Sequence, residues 1–142
     1  MTRTALTLAV GLVLGAAAGA SARTMVAPRQ PQSTTRTSLV KLDLPECPGR
    51  EANVWITEIA PGAATPRHSH PGHVFGYVLE GSLTHTVEKG GKAPSVFSVG
   101  SAWYESPGEV HFATNRSATK PVKLIAVGVV EKGKPLSIPA AK

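Results

Sequence analysis

The chain has 142 residues, with 15 lysines and arginines against 9 acidic residues and a formal net charge of +6. This length suits one modest hydrophobic core and is too short for two. A basic balance can attract nucleic acid, but here the basic residues are scattered and no row of aromatic residues accompanies them. We therefore expect no nucleic-acid partner.

The amino terminus is typical of an exported protein. Arg3 precedes an apolar run over residues 5–20, which leads into the small residues Ala20-Ser21-Ala22. This order is typical of a secretory signal peptide, and the run is shorter than the roughly 20 residues that a membrane-spanning helix needs. We predict a signal peptide over residues 1–22, a secreted or periplasmic protein, and no membrane contact after cleavage. Residues 23–38, rich in Pro, Gln, Ser and Thr, are predicted to be a flexible lead-in.

Residues 39–142 are predicted to form a single all-β domain. Short runs rich in β-branched residues alternate with Pro and Gly, and no stretch has a helical period. The predicted strands are 40–44, 54–59, 65–70, 74–79, 83–87, 95–99, 110–114 and 122–130. This spacing favours an antiparallel sandwich or barrel and leaves no room for βαβ crossovers. The apolar tail over 136–140 is expected to pair with, or lie over, a sheet edge.

Three histidines are the candidate metal ligands in the sequence. His68 and His70 are two residues apart, and His111 follows in a second glycine-punctuated block. Alternate side chains of a strand share one face, so the first two imidazoles would lie roughly 7 Å apart along the backbone. A third imidazole from another strand would complete a cap of three nitrogens with open coordination positions. The spacing therefore predicts a metal site.

The two blocks resemble the signature motifs of the cupins. The family pattern G-x5-H-x-H-x3-4-E-x6-G is matched except at its glutamate, where Val74 stands in the shorter spacing and Phe75 in the longer. The pattern G-x5-P-x-G-x2-H-x3-N is matched except at its proline, which Ser106 replaces. The matching residues are Gly62, His68, His70 and Gly81 in the first block and Gly100, Gly108, His111 and Asn115 in the second.

The resemblance is to small exported bacterial single-domain (type-2) cupins, and it covers most of residues 39–142. It implies a single jelly-roll β-barrel, with a metal ion held by His68, His70 and His111. It also implies a homodimer, because the family often dimerises, and exposed sheet edges need covering in any case. The missing glutamate removes one oxygen ligand, so three histidines become the expected set.

Three other residues are candidates for the site. His73 could be a fourth nitrogen ligand, or a surface histidine at the mouth of the pocket. Glu105 could act as an acid, a base or a partner of a ligating imidazole, or it could be a solvated turn carboxylate. His85 shares a strand face with Leu83 and Val87, so it either lines the cavity, where it could take a proton, or packs within the barrel.

These residues favour a metal-dependent oxidoreductase, similar to a dioxygenase, that acts on a small organic molecule, with Glu105 and His85 as catalytic residues. The expected cofactor is a divalent transition metal, iron above all, with manganese, nickel, copper and zinc as alternatives. Two other hypotheses stay open. One is a barrel that binds metal or a small ligand without turnover, and the other is a metal-dependent isomerase or lyase.

Overall fold

The computed structural model describes residues 33–91 and 93–141, and all regular structure in them is β. The predicted signal peptide and most of the lead-in lie outside these ranges. Among the described residues, no helix is long and apolar enough to cross a membrane. The strands are β1 Thr34–Asp43, β2 Arg50–Ile59, β3 His68–Ser69, β4 His73–Glu80, β5 Ser82–Val87, β6 Ser95–Ser98, β7 Ala102–Glu105, β8 His111–Thr114, β9 Val122–Glu131 and β10 Ile138–Pro139.

The strands form two five-stranded sheets that face each other. The first has the order β1-β2-β9-β4-β7 and the second β10-β3-β8-β5-β6. Every pairing between these strands is antiparallel. The prediction of an all-β jelly roll is confirmed.

The core lies between the sheets because alternate residues of each long strand turn inward. On β9 the inward residues include Val122, Leu124 and Ala126, and on β4 they include Val74 and Val78. A period of two is what a strand with one buried face requires. The core cluster consists of Trp55, Ile59, Ala63, Val74, Val78, Leu83, Ala113, Val122, Leu124 and Ala126.

Two strands, β1 and β7, differ from the sequence predictions. Strand β1 begins at Thr34, so the predicted lead-in gives way to a strand before residue 38. Its threonines are β-branched, and β1 pairs with β2 from Thr34 opposite Ile59 to Asp43 opposite Glu51. The second difference is β7, which was not among the predicted strands.

The carboxyl-terminal tail pairs with the short strand β3. Ile138 lies opposite Ser69, and Pro139 lies opposite His68. This pairing confirms the expectation that the tail covers a sheet edge. Strand β3 has only two residues, shorter than predicted, because Pro66 and Pro71 flank it and proline cannot donate to a ladder.

Candidate metal centre

Three imidazoles converge between the sheets. His68 on β3 lies directly opposite His111 on β8, and His70 follows β3. The ring centroids are 4.5 Å apart for His68 and His111, 4.9 Å for His68 and His70, and 5.2 Å for His70 and His111. His70 and His111 are buried, and His68 is half-buried. One nitrogen from each ring can contribute to a single three-donor group.

Main-chain carbonyl oxygens fix the orientation of all three rings. The pairs are His68 Nδ1 with Pro66 O at 2.7 Å, His70 Nδ1 with Leu136 O at 2.6 Å, and His111 Nδ1 with Glu109 O at 2.9 Å. A carbonyl oxygen can only accept, so each Nδ1 carries the proton and donates it. In a neutral ring this leaves the Nε2 lone pair free, as a metal ligand requires.

The carboxylate of Glu105 joins this cluster. Its Oε2 lies 3.3 Å from Nε2 of His70 and 3.3 Å from Nε2 of His111. Its Oε1 accepts a hydrogen bond from Trp103 Nε1 at 2.9 Å and lies 3.1 Å from His85 Nε2. Glu105 is therefore a buried residue of the centre, and the alternative of a solvated turn carboxylate is wrong.

The pairing of β4 with β7 brings Glu105 to this place. Val74 and Glu105 are direct cross-strand partners, and opposite residues of an antiparallel pair project to the same face. The cupin resemblance puts a glutamate at the position of Val74. Here the carboxylate stands on the neighbouring strand, beside that position.

A glycine on β4 makes room for the tryptophan that holds Glu105. A Cβ atom at Gly76 would lie 2.2 Å from Cζ2 of Trp103, which is far inside van der Waals contact. The bare backbone lets the indole lie flat against β4 with its N–H directed at Glu105. Trp103 was not among the candidate site residues of the sequence analysis. Its position two residues before Glu105, on the same strand face, is the signal that could have identified it.

Burial and charge act on the centre in opposite directions. Burial favours the neutral acid at Glu105, but the imidazoles of His111, His70 and His85 hold its pKa well below the usual range. Burial lowers the pKa of His68 to about 4, only partly opposed by the Pro66 carbonyl. At His111 burial lowers the pKa, yet the Glu105 carboxylate outweighs it and the pKa is raised. Glu105 thus attracts positive charge to Nε2 of His111.

The residues present fit a metal ion. Among the described residues, Nε2 of His111 is a buried nitrogen without a hydrogen-bond partner, although the Glu105 oxygen is near. Two lone pairs that face each other at 3.3 Å need a proton or a cation between them. Donor atoms about 2.0–2.2 Å from one ion stand roughly 3.0–3.5 Å apart at tetrahedral or octahedral angles. A divalent transition metal therefore suits this donor set.

His85 belongs to the same buried region. It lies on β5 with its ring centroid 5.1 Å from that of His111. A second three-donor group is formed by His85, Glu105 and His111, and it shares His111 with the first group. His85 therefore lies inside the barrel beside Glu105, where a proton can pass between the two side chains.

The structure does not bring His73 to the centre. It is the exposed first residue of β4, and neither three-donor group among the described residues contains it. Its Nδ1 lies 2.6 Å from the hydroxyl of Tyr104 on the outer face of the sheet. Because Val74 points inward, strand alternation turns the preceding side chain outward.

Two cavities adjoin the cluster. The inner cavity measures about 40 Å³ and has a largely apolar wall that includes Trp55, Trp103 and Leu124. A larger groove of about 290 Å³ lies outside it, and the two share Thr65 and His68. The inner cavity has room for little more than one or two water molecules. A larger molecule would therefore reach the histidines through the groove.

Comparison with known proteins identifies the family of this chain. A family model described as "Cupin domain" matches residues 55–128. The chain belongs to the cupin family. A search of curated proteins found no match.

Solved structures share this cupin fold at low sequence identity. A protein with a double-stranded β-helix domain from Klebsiella pneumoniae is 21% identical, with a TM-score of 0.61 over 82% of this chain and 91% of that one. The polyketide cyclase RemF from Streptomyces resistomycificus is 24% identical, with a TM-score of 0.59 over 77% and 72%. A recombinant oxalate oxidase in complex with glycolate is 24% identical, with a TM-score of 0.55 over 69% and 51%. These likenesses concern the fold alone.

Proposed function

We propose that this cupin is a metal-dependent oxidoreductase, similar to a dioxygenase, that acts on a small organic molecule. The observation that carries the proposal is the convergence of three Nδ1-protonated imidazoles and the Glu105 carboxylate in a buried, largely apolar site. A solved structure that shares the fold is that of an oxalate oxidase, so the fold is compatible with redox chemistry.

In this proposal His68, His70, His111 and Glu105 hold one divalent transition metal, with iron as the proposed ion. Imidazole nitrogen is a suitable ligand for iron, nickel, copper and zinc. The carboxylate of Glu105 adds an oxygen ligand, which suits manganese as well. When bound, such an ion supplies Lewis acidity and, if it is redox-active, electron exchange with oxygen or substrate.

The chain's own side chains have three tasks. The carbonyl partners hold each imidazole in the tautomer that leaves Nε2 free. His85 and Glu105, 3.1 Å apart, can hold a proton or move it at the edge of the cavity. The wall formed by Trp55, Trp103 and Leu124 limits access of bulk water.

The buried pair of His85 and Glu105 also favours a second candidate, a metal-dependent isomerase or lyase. Both reactions need an internal base close to the substrate. The two side chains are buried and within hydrogen-bonding distance of each other. This candidate uses the same ion as a Lewis acid and consumes no oxygen.

The deciding experiment combines metal analysis with oxygen uptake. Purified protein is assayed for bound metal and then for oxygen consumption with a panel of phenols, thiols and diketones. We expect a stoichiometric amount of redox-active metal in the native protein, together with oxygen consumption. His111→Ala should abolish the oxygen consumption, whereas the matched control His73→Ala should keep both the metal and the oxygen consumption. If the protein holds metal but consumes no oxygen with any compound of the panel, the assignment moves to the isomerase or lyase, or to a barrel that binds metal or a small ligand without turnover. A native protein that takes up no transition metal would refute the proposal.

We also propose that the protein is an exported homodimer. A row of apolar residues crosses the outer face of the first sheet from strand to strand. This outer row consists of Val40, Val54, Val127, Phe75 and Tyr104, which the register places side by side. Phe75 is 52% exposed and Tyr104 46%. A continuous apolar face of this kind suits contact with a second copy. The predicted signal peptide supports export.

A further inference from the structure

The outer groove beside the metal centre is lined by cations and hydroxyls. Its wall comprises two arginines, four threonines, two prolines, a serine and His68, and it contains no carboxylate. Because His68 and Thr65 also line the inner cavity, anything bound in the groove lies next to the centre. The volume, about 290 Å³, is at the lower end of the range for small-molecule sites.

Arg36 lies in this groove because of its strand register. On β1 it stands opposite Thr57, whose side chain points into the space between the sheets. Its guanidinium carbon lies 5.4 Å from the centroid of Trp55, the same tryptophan that lines the inner cavity. A cation–π contact of this kind restrains the guanidinium without using its N–H groups, which stay free to bind.

The two arginines of the groove differ in how their charge is balanced. Arg67 pairs through two nitrogens with Glu88 and also donates to the Ala141 carbonyl at 3.0 Å. Arg36 donates to the Ser137 hydroxyl at 3.0 Å and forms no salt bridge among the described residues. Arg36 thus retains N–H donors and a positive charge that no carboxylate contacts directly, although Glu105 attracts it from a distance.

We propose that the groove binds a small organic molecule through a carboxylate, which Arg36 receives as a two-pronged hydrogen-bonded pair. One planar guanidinium matches the two oxygens and single charge of a carboxylate. A phosphate dianion would need a second free cation, and Arg67 is already engaged by Glu88. The remainder of the molecule would extend past His68 toward the metal centre.

This inference deepens the proposed function, because it assigns a substrate class to that same centre. The test uses benzoate as probe and its neutral counterpart benzamide as control, measured by calorimetry on zinc-loaded protein and again on protein stripped of metal. The metal-free measurement removes direct binding of the carboxylate to the ion. Failure of metal uptake would refute the proposed function but leave the pairing with Arg36 intact.

We expect benzoate to bind at least about tenfold more tightly than benzamide in both states, as a charge-assisted pair requires. Arg36→Gln should abolish this preference, and Arg50→Gln, the matched control at an exposed arginine of β2 outside the groove, should retain it. Circular dichroism and zinc stoichiometry check that the variants fold. If Arg36→Gln binds benzoate as tightly as the native protein, or the native protein shows no preference, the inference is wrong.

A second measurement needs no variant. In amide NMR spectra of the native protein, benzoate should shift the resonances of Arg36, Ser137 and Thr65, and benzamide should not. Shifts confined to residues outside the groove, or equal shifts from both probes, would overturn the assignment.

Discussion

At the scale of single residues, Glu105 decides the character of the centre. Its Oε2 faces the Nε2 atoms of His70 and His111, and its Oε1 accepts from Trp103. One oxygen is therefore anchored to the protein while the other is available to an ion between the histidines. A negative charge in this position compensates one charge of a divalent cation, which neutral imidazoles cannot do.

Removal of that charge should weaken metal binding. We predict that Glu105→Gln, which keeps the shape and the acceptor for Trp103, lowers the affinity for zinc or iron by at least about tenfold. Glu80→Gln, at an exposed position at the end of β4, is the control and should bind as the native protein does. Competition against a chelator of known affinity measures both. Equal affinities for the two variants would show that the carboxylate is not part of the ligand set.

The sequence predicted the three histidines but not the place of their neighbours. Two spaced motifs identify His68, His70 and His111 because their positions are defined along the chain. The spacing does not define which residues of β4 point inward, because the turn through Pro71 and Gly72 decides whether residue 73 or residue 74 does so. That is why His73 was a plausible ligand from sequence and lies outside in the structure.

At the scale of elements, the contact between β4 and β7 supports the centre. Gly76 and Trp103 are cross-strand partners, and the glycine has no side chain that could displace the indole. Strand β7 escaped prediction because it is short and lies between two turns. The convergence of Glu105 on the histidines depends on its pairing with β4, and such non-local pairing cannot be read from spacing along the chain.

The close contact makes Gly76→Ala a sharp test of this arrangement. The new methyl group should push Trp103 away from β4, break its bond to Glu105 and destabilise the fold by about 1–3 kcal/mol. Urea denaturation measures the free energy of unfolding. The same substitution in a Trp103→Leu background should cost less, because the clashing ring is gone. If the cost is the same in both backgrounds, the indole does not occupy this position.

The register also predicts that the carboxylate can be moved. In the double variant Val74→Glu with Glu105→Val, the acid returns to the strand that carries it in the cupin motif. We expect this variant to recover most of the metal affinity that Glu105→Val alone loses, because the two positions are adjacent on one face. Chelator competition on the single and double variants measures the recovery. No recovery would mean that the site depends on the partners of Glu105 as well as on its charge.

At the scale of the whole molecule, the first sheet has a continuous apolar outer face. The outer row on the first sheet is apolar across all five strands, although its residues come from distant parts of the chain. The sequence predicted a homodimer but did not predict which residues form its interface. Pairing order, which only the fold provides, aligns them into one face.

Disruption of this face should separate the proposed dimer. We predict that Phe75→Glu weakens self-association by at least about tenfold, because a charge would be buried against an apolar surface. Val96→Glu, on β6 of the other sheet and 67% exposed in the described chain, is the control and should associate normally. Sedimentation velocity over a concentration series measures both. A native protein that stays monomeric throughout would contradict the proposal.

The pairing of Val74 with Glu105 has a consequence for how such sites change over time. Because the two positions are neighbours in space, a lineage could exchange one carboxylate for the other through an intermediate that carries both, without ever losing a negative charge at the ion. The set of metal ligands would then stay the same, while the position of the carboxylate in the sequence changes. Two cupins could share a metal centre atom for atom and still differ at the residue by which the motif is recognised.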